Sequence, residues 1–174
     1  MLNSNFHADK PNEKWLTEIT EFTLPCGKVY LSPIIDCFDG MPVSWTIGLN
    51  RDANPVNQML DKAIATLGEN QKPIIHSDRG CHYRWLGWIE RMERSGLIRS
   101  MSKKCCSPNN SACEGFLGRL KNEMFYGRRW DGVTLEEFIT ILDDCIHWYA
   151  EERIKKSIGW RSPVQYRQAL GLMP

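Results

Sequence analysis

The sequence predicts a mixed β-sheet with helices on its faces, of α/β or α+β type, and three observations predict it. Strand-like segments joined by tight turns fill the first third of the chain. An amphipathic helix then separates the third of these from a fourth, and strand–helix–strand implies a crossover and a parallel pairing. Helical periodicity dominates the rest.

Trp15 to Phe22 alternates and is rich in β-branched and aromatic residues, as a half-buried strand is. Lys28 to Asp36 follows a Pro-Cys-Gly turn and is more continuously apolar, as a buried strand is. Met41 to Leu49 is reached through Asp39-Gly40, a tight-turn dipeptide, so these three make an antiparallel meander. Asn54 suits an N-cap and Pro55 the first helical position. Val56, Met59, Leu60, Ala63, Ile64 and Leu67 form one stripe, and Gly68 can end the helix. The fourth strand, Pro73 to His76, runs into Ser77-Asp78-Arg79-Gly80. Trp85 to Glu93 reads as helix and Leu97 to Met101 as the fifth strand. A loop from Ser102 to Asn109 leads to a helix from about Asn110 to Tyr126. Thr134 and Glu137 make a capping box for a last long helix, whose stripe is Phe138, Ile141, Leu142, Cys145, Ile146 and Tyr149.

A chain of 174 residues is long enough for one domain with its own core. Apolar residues at 42% and charged residues at 25% exclude disorder, collagen and coiled coil. No apolar run approaches the roughly 18 residues of a membrane span. The polar start lacks the basic and apolar regions of a signal peptide, so a cytoplasmic protein is expected. Residues 1–14 are expected to be a flexible tail and 15–172 the core domain. Seven cysteines without secretory context read as reduced thiols. Cys81, His82, Cys105, Cys106 and Cys113 lack the paired spacing of a zinc site.

The net charge of +1 conceals an uneven distribution. Lys72 to Arg129 holds 12 basic and 5 acidic residues, a local +7, and the remainder carries −6. Such a division suits a surface that meets a polyanion.

Three acids sit where chemistry could use them. Glu18 falls in the middle of the first predicted strand, and Asp78 ends the fourth, where open sheets present ligand-binding groups. Glu114 lies in the first turns of a predicted helix, with Lys121 seven residues on along the same face. Carboxylates from separate elements suit hard divalent cations, and paired cations serve phosphoryl transfer on nucleic acids. Gly115 and Gly118 beside Glu114 are costly in a helix, and read equally as close packing or as room for a DNA backbone. Lys121, Arg119, Lys103 and Lys104 are candidates for phosphate contact. His76 and Asp36 are expected to satisfy hydrogen bonds in the structure. Trp45, Trp85, Trp88 and Trp148 are expected to pack in the core or between helices. His82 and Tyr83 read equally as loop packing or DNA contact.

The stretches WLTEITEF, YLSPIIDCFDG, IHSDRGCHY, SMSKKCCSPNNSACEGFLGRLKNE and RSPVQYR, in this order, resemble the catalytic core of insertion-sequence transposases of the retroviral-integrase superfamily. The resemblance spans about Trp15 to Leu170. It implies a ribonuclease H-like α/β fold with a mixed five-stranded sheet, the antiparallel meander plus parallel strands, flanked by helices. It further implies DNA cleavage and strand transfer at the ends of a mobile element. By the same resemblance, Glu18, Asp78 and Glu114 are the catalytic, metal-holding triad for two Mg²⁺ or Mn²⁺ ions, accompanied by Lys121. The partners implied are element ends and target DNA, together with a further copy of the chain or a full-length transposase.

The sequence departs from the family pattern at several positions. Glu18 stands where aspartate is usual, and Cys105, Asn109 and Ala150 replace the usual Gly, Asp and Asn. The chain begins just before the catalytic core, without the helix-turn-helix portion that related transposases usually carry. These features lead to the expectation of a truncated copy, impaired by Glu18. The alternative is a catalytically silent DNA-binding or assembly module.

Overall fold

The computed structural model describes residues 7–78, 80–101 and 111–172, leaving aside the side chains at 81 and 111–114. The strands are β1 (Lys14–Thr17), β2 (Thr20–Leu24), β3 (Gly27–Asp36), β4 (Pro42–Gly48), β5 (Ile74–Ser77) and β6 (Ile98–Met101). The helices are α1 (Ala53–Ile64), α2 (Leu86–Arg94), α3 (Ser111–Leu120), α4 (Leu135–Glu151) and α5 (Pro163–Ala169).

The stretch expected as one strand is two. β1 pairs with β3 through Trp15–Asp36, Leu16–Ile35 and Thr17–Ile34, and β2 resumes at Thr20–Leu31 in the same antiparallel register. Extending that register across the gap sets Glu18 opposite Pro33, which has no amide hydrogen to offer a ladder. Glu18 therefore does not lie within a strand; it follows the end of β1 and is half-buried. The six strand segments occupy five positions across the sheet, with β4 on one edge and β6 on the other. β3 is antiparallel to its neighbours, whereas β1, β5 and β6 are mutually parallel.

Alternation along the strands divides the core between two faces. Trp15, Ile34 and Ile75 pack against α1 and α2 through Val56, Met59, Leu60, Trp88 and Met92. Leu16, Phe22, Leu31 and Ile35 pack against α3 and α4 through Phe116, Leu117, Leu120, Phe138, Leu142 and Ile146. Burial on both faces explains why β3 reads as a continuous apolar run.

Several boundaries differ from expectation. α1 starts at Ala53 after Asp52, so Pro55 sits within the first turn, where no amide needs an intrahelical acceptor. The helix ends at Ile64, before Leu67 and Gly68. The third helix gives way after Leu120 to a π-helical turn, Lys121–Phe125. The Thr134–Glu137 capping box is present, but Ile141 is 37% exposed. After α4 comes a further helix, α5; Ser162 caps it reciprocally with Gln165, and Pro163 begins it. Trp88 is buried, but Trp85 and Trp148 are exposed at 38% and 42%. Just before β1, Ala8 is buried and the Asn12 amide donates to Asp36 Oδ2 at 2.9 Å. Among the described residues no helix is long and apolar enough to cross a membrane.

Candidate active site at the carboxyl edge of the sheet

β1 and β5 run parallel, with Leu16 opposite His76 and Thr17 opposite Ser77. Each strand is followed by an acid, Glu18 after Thr17 and Asp78 after Ser77, at the carboxyl ends of two strands whose spacing in any sheet is about 4.8 Å. Thr17 faces the α1–α2 side, where its hydroxyl lies 3.2 Å from the Tyr83 hydroxyl. Leu16, one residue earlier, faces the opposite side, where it packs with Phe116, Leu117 and Leu120 of α3. Tyr83 is buried against Trp88, which favours its packing role.

The turn after β5 fixes Asp78 locally. Its Oδ1 accepts the Gly80 amide at 2.9 Å. A Cβ at position 80 would lie 2.9 Å from that same oxygen and 3.5 Å from Tyr83 Cδ2. Glycine at 80 is thus a steric requirement of the carboxylate's position, a reason not read from the sequence. The Asp78 charge is felt by His82, whose pKa is lowered by burial and by Arg51 and pulled back up by Asp78 and Asp52. His82 packs edge-on to Trp85, 4.8 Å between ring centroids. His76 is buried, with Nδ1 3.0 Å from Ser100 Oγ, as its expected packing role requires.

Lys121 closes the other side. Its amine donates to the Glu21 carbonyl at 2.9 Å and lies 5.2 Å from the Phe22 ring centroid. Burial pulls the ammonium below its ordinary pKa, while the Glu18 and Glu21 carboxylates oppose that shift. Lys121 and Glu18 are thus electrostatic neighbours. Position 114 lies in the first turn of α3, Lys121 opens the π-helical turn that follows it, and Phe116, Leu117 and Leu120 seat the helix against Leu16 of β1. The Glu114 side chain lies outside the described residues, as do Lys103, Lys104 and the rest of the loop from Ser102 to Asn109. Among the described residues no three His, Cys, Asp or Glu side chains form a ready metal site.

Other expected residues separate from this edge. Arg119 of α3 lies in the neighbourhood of Tyr149, Arg153 and Lys155. At Gly115 and Gly118 a Cβ would meet nothing within 4 Å among the described residues. Asp36 stands opposite Trp15, away from the Glu18 end of β1. It accepts from the Asn12 and Phe38 amides at 2.9 and 3.0 Å and from Arg167 Nη2 at 2.8 Å, the structural role expected of it.

A mixed sheet in which an antiparallel meander runs into parallel strands, with helices packed on both faces, defines the ribonuclease H-like fold as a class. A chain of the simian T-cell lymphotropic virus intasome, solved with PP2A regulatory subunit B56 gamma, superposes with a TM-score of 0.78 at 18% identity. That match covers 97% of this chain and 58% of the other. The HTLV-2 integrase catalytic core domain in complex with magnesium gives 0.64 at 16% identity, over 90% of this chain and 96% of that one.

The integrase core domain family matches residues 8–105 and again 114–170, and the chain belongs to that family, among the insertion-sequence transposases of the retroviral integrase superfamily. A Shigella flexneri protein named "Probable transposase for insertion sequence element IS1353" is 60% identical over 173 residues, 99% of this chain and 34% of its own length. An uncharacterized transposase-like protein of Haemophilus influenzae is 40% identical over 167 residues, 96% of this chain and 76% of its own. The chain thus spans about a third of the first relative and three quarters of the second.

Proposed function

We propose that residues 15–172 are the catalytic core of a transposase that cuts the ends of a mobile DNA element and joins them to target DNA. One observation carries this reading: Thr17 and Ser77 are register partners on neighbouring parallel strands and each is followed by an acid, Glu18 and Asp78, while Leu16 of β1 packs against α3, the helix that bears Glu114. Family membership and the fold shared with retroviral integrase cores support it.

The donor chemistry fits a hard divalent cation, because all three groups offer carboxylate oxygen rather than thiolate or imidazole. Glu18, Asp78 and Glu114 would hold Mg²⁺ or Mn²⁺, two ions in all; the HTLV-2 core, solved with magnesium, supports the choice of metal. Bound there, such ions stabilise the attacking and leaving oxygens of a displacement at phosphorus. Lys121 neutralises Glu18 and presents a cation to an incoming phosphate, with Lys103 and Lys104 of the neighbouring loop as further phosphate contacts. Water serves as nucleophile for cleavage, and the freed DNA 3′-hydroxyl for joining. The chain acts in the cytoplasm with a second copy or a longer transposase chain.

Glu18 carries one methylene more than the usual aspartate, and magnesium tolerates little deviation from its octahedral geometry. We infer reduced turnover from that displacement. The test is cleavage and strand transfer on matched element ends with Mn²⁺, for the native chain and for Glu18→Asp. Turnover that rises in Glu18→Asp and vanishes in Asp78→Asn supports an impaired enzyme. Metal binding with no turnover in either chain would instead identify a silent DNA-binding module.

A further inference from the structure

Beyond the carboxylate edge, the loop between α4 and α5 carries its own charge pattern. It folds back on itself: the Lys155 amide donates to the Arg161 carbonyl at 2.9 Å and the Trp160 amide to the Lys155 carbonyl at 3.0 Å. Arg119, Arg153, Lys155 and Lys156 line a surface depression of about 620 Å³ beside it together with Ile154 and Ser157, so that among the described residues the wall holds four cations and no acid. Glu123 pairs with Arg153 Nε at 2.6 Å, and Lys155 Nζ donates to the Asp39 carbonyl at 2.6 Å. Lys156 and Arg161 are exposed and form no ion pair among the described residues. Glu151 and Glu152 precede the loop at the end of α4, where Glu151 lies 3.8 Å from His147 rather than on the depression.

Trp160 is the second observation. It is 64% exposed and has φ +58°, directly after Gly159 at φ +72°. A bulky residue is an outlier in the left-handed region, and glycine or asparagine would hold this turn without strain. A strained aromatic displayed beside a basic depression has the composition of a nucleic-acid platform, in which cations take phosphates and the ring takes a sugar or base face.

We propose that this loop, with Arg119, is a second DNA-backbone site that grips duplex outside the carboxylate centre, with Lys156 and Arg161 on phosphodiesters and Trp160 against sugar or base. The inference rests on the reading of the chain as a DNA-acting core and adds a contact surface to it. The basic excess noted between Lys72 and Arg129 does not include this loop.

The test is fluorescence anisotropy of the full chain with a labelled duplex of about 30 base pairs, without divalent metal, from about 50 to 200 mM salt. The variant Lys156→Ala/Arg161→Ala is expected to bind roughly tenfold weaker at low salt and to flatten the log–log salt slope by about 1.8, or about 0.9 per lost phosphate contact. Trp160→Gly, which relieves backbone strain, is expected to weaken binding several-fold while its melting temperature holds or rises. Lys62→Ala on exposed α1 is the charge control and leaves the slope unchanged. A double variant with the native slope, or a control that falls equally, overturns the proposal. If Asp78→Asn abolishes cleavage while the loop variants bind as the native chain does, the second site alone is wrong. A native chain without salt-dependent DNA binding removes both readings.

Discussion

Thr17 and Ser77 are register partners on neighbouring parallel strands, and the residue after each is an acid. Two acids 60 positions apart in the chain, Glu18 and Asp78, thus follow directly on strands that pair side by side. The ladder between the first strand and β3 breaks where Pro33 faces Glu18, so the glutamate leaves the sheet instead of continuing it.

Asp78→Asn keeps the shape and the acceptor oxygen for the Gly80 amide but removes the charge. Cleavage with Mn²⁺ is expected to fall by at least about 100-fold, a loss typical of a misassembled catalytic group. Thermal melting is expected to change by less than about 1 kcal/mol, since no buried partner is orphaned. Activity and melting curves on the same preparation check both.

Gly80→Ala is expected to act on the same carboxylate from outside it. The new methyl would stand 2.9 Å from Asp78 Oδ1, so the acid or its turn must move. Metal affinity and turnover fall together, with a stability change within about 1 kcal/mol. Titration of Mn²⁺ by electron paramagnetic resonance measures the first.

Arg167 is a structural cation. It donates from Nε to Asp39 at 2.6 Å and from Nη2 to Asp36 at 2.8 Å, with both acids buried. Arg167→Ala strands two carboxylates and is expected to cost about 3–5 kcal/mol in urea denaturation. Adding Asp36→Asn and Asp39→Asn to that variant is expected to recover part of the loss.

Lys155 sets a pH dependence. Burial drives its ammonium from 10.5 down to about 8; the charge of Asp39 opposes this, while Arg119 and Arg153 add to it. Between those two values the unfolded chain binds more protons at this group than the folded one. The contribution is therefore fully present above 10.5 and lost as pH falls through about 8. Stability relative to Lys155→Met is expected to rise by up to about 3 kcal/mol across that window. Denaturation of both proteins at several pH values measures the difference.

The strands and the main helices were legible because burial on one or two faces leaves a period that the sequence carries, as in β3 and α4. Glu18 was legible as an acid among apolar residues, but its release from the strand depends on Pro33, a cross-strand partner that local pattern does not reveal. Arg119 in α3 and Lys121 at the start of the π-helical turn meet different neighbours, Tyr149 for the first and Glu18 and Glu21 for the second, which distinguishes two cations that composition groups together. Helix α5 was missed although Ser162, Pro163 and Gln165 spell its cap, because seven residues are too short for periodicity to register. Trp85 and Trp148, read as core or helix-packing residues, are exposed at 38% and 42%, because an aromatic side chain does not itself say which flank of a helix it occupies. The ion network of Arg167 joins residues more than 120 positions apart, a pairing that no local signal announces.

The most direct measurement of the central claim is Mn²⁺ binding, by electron paramagnetic resonance, to the native chain and to Glu18→Ala, Asp78→Ala and Glu114→Ala. A shared centre predicts two bound ions in the native protein and weaker or lost binding in every one of the three variants. Native affinity and stoichiometry retained in Asp78→Ala or Glu114→Ala would contradict it.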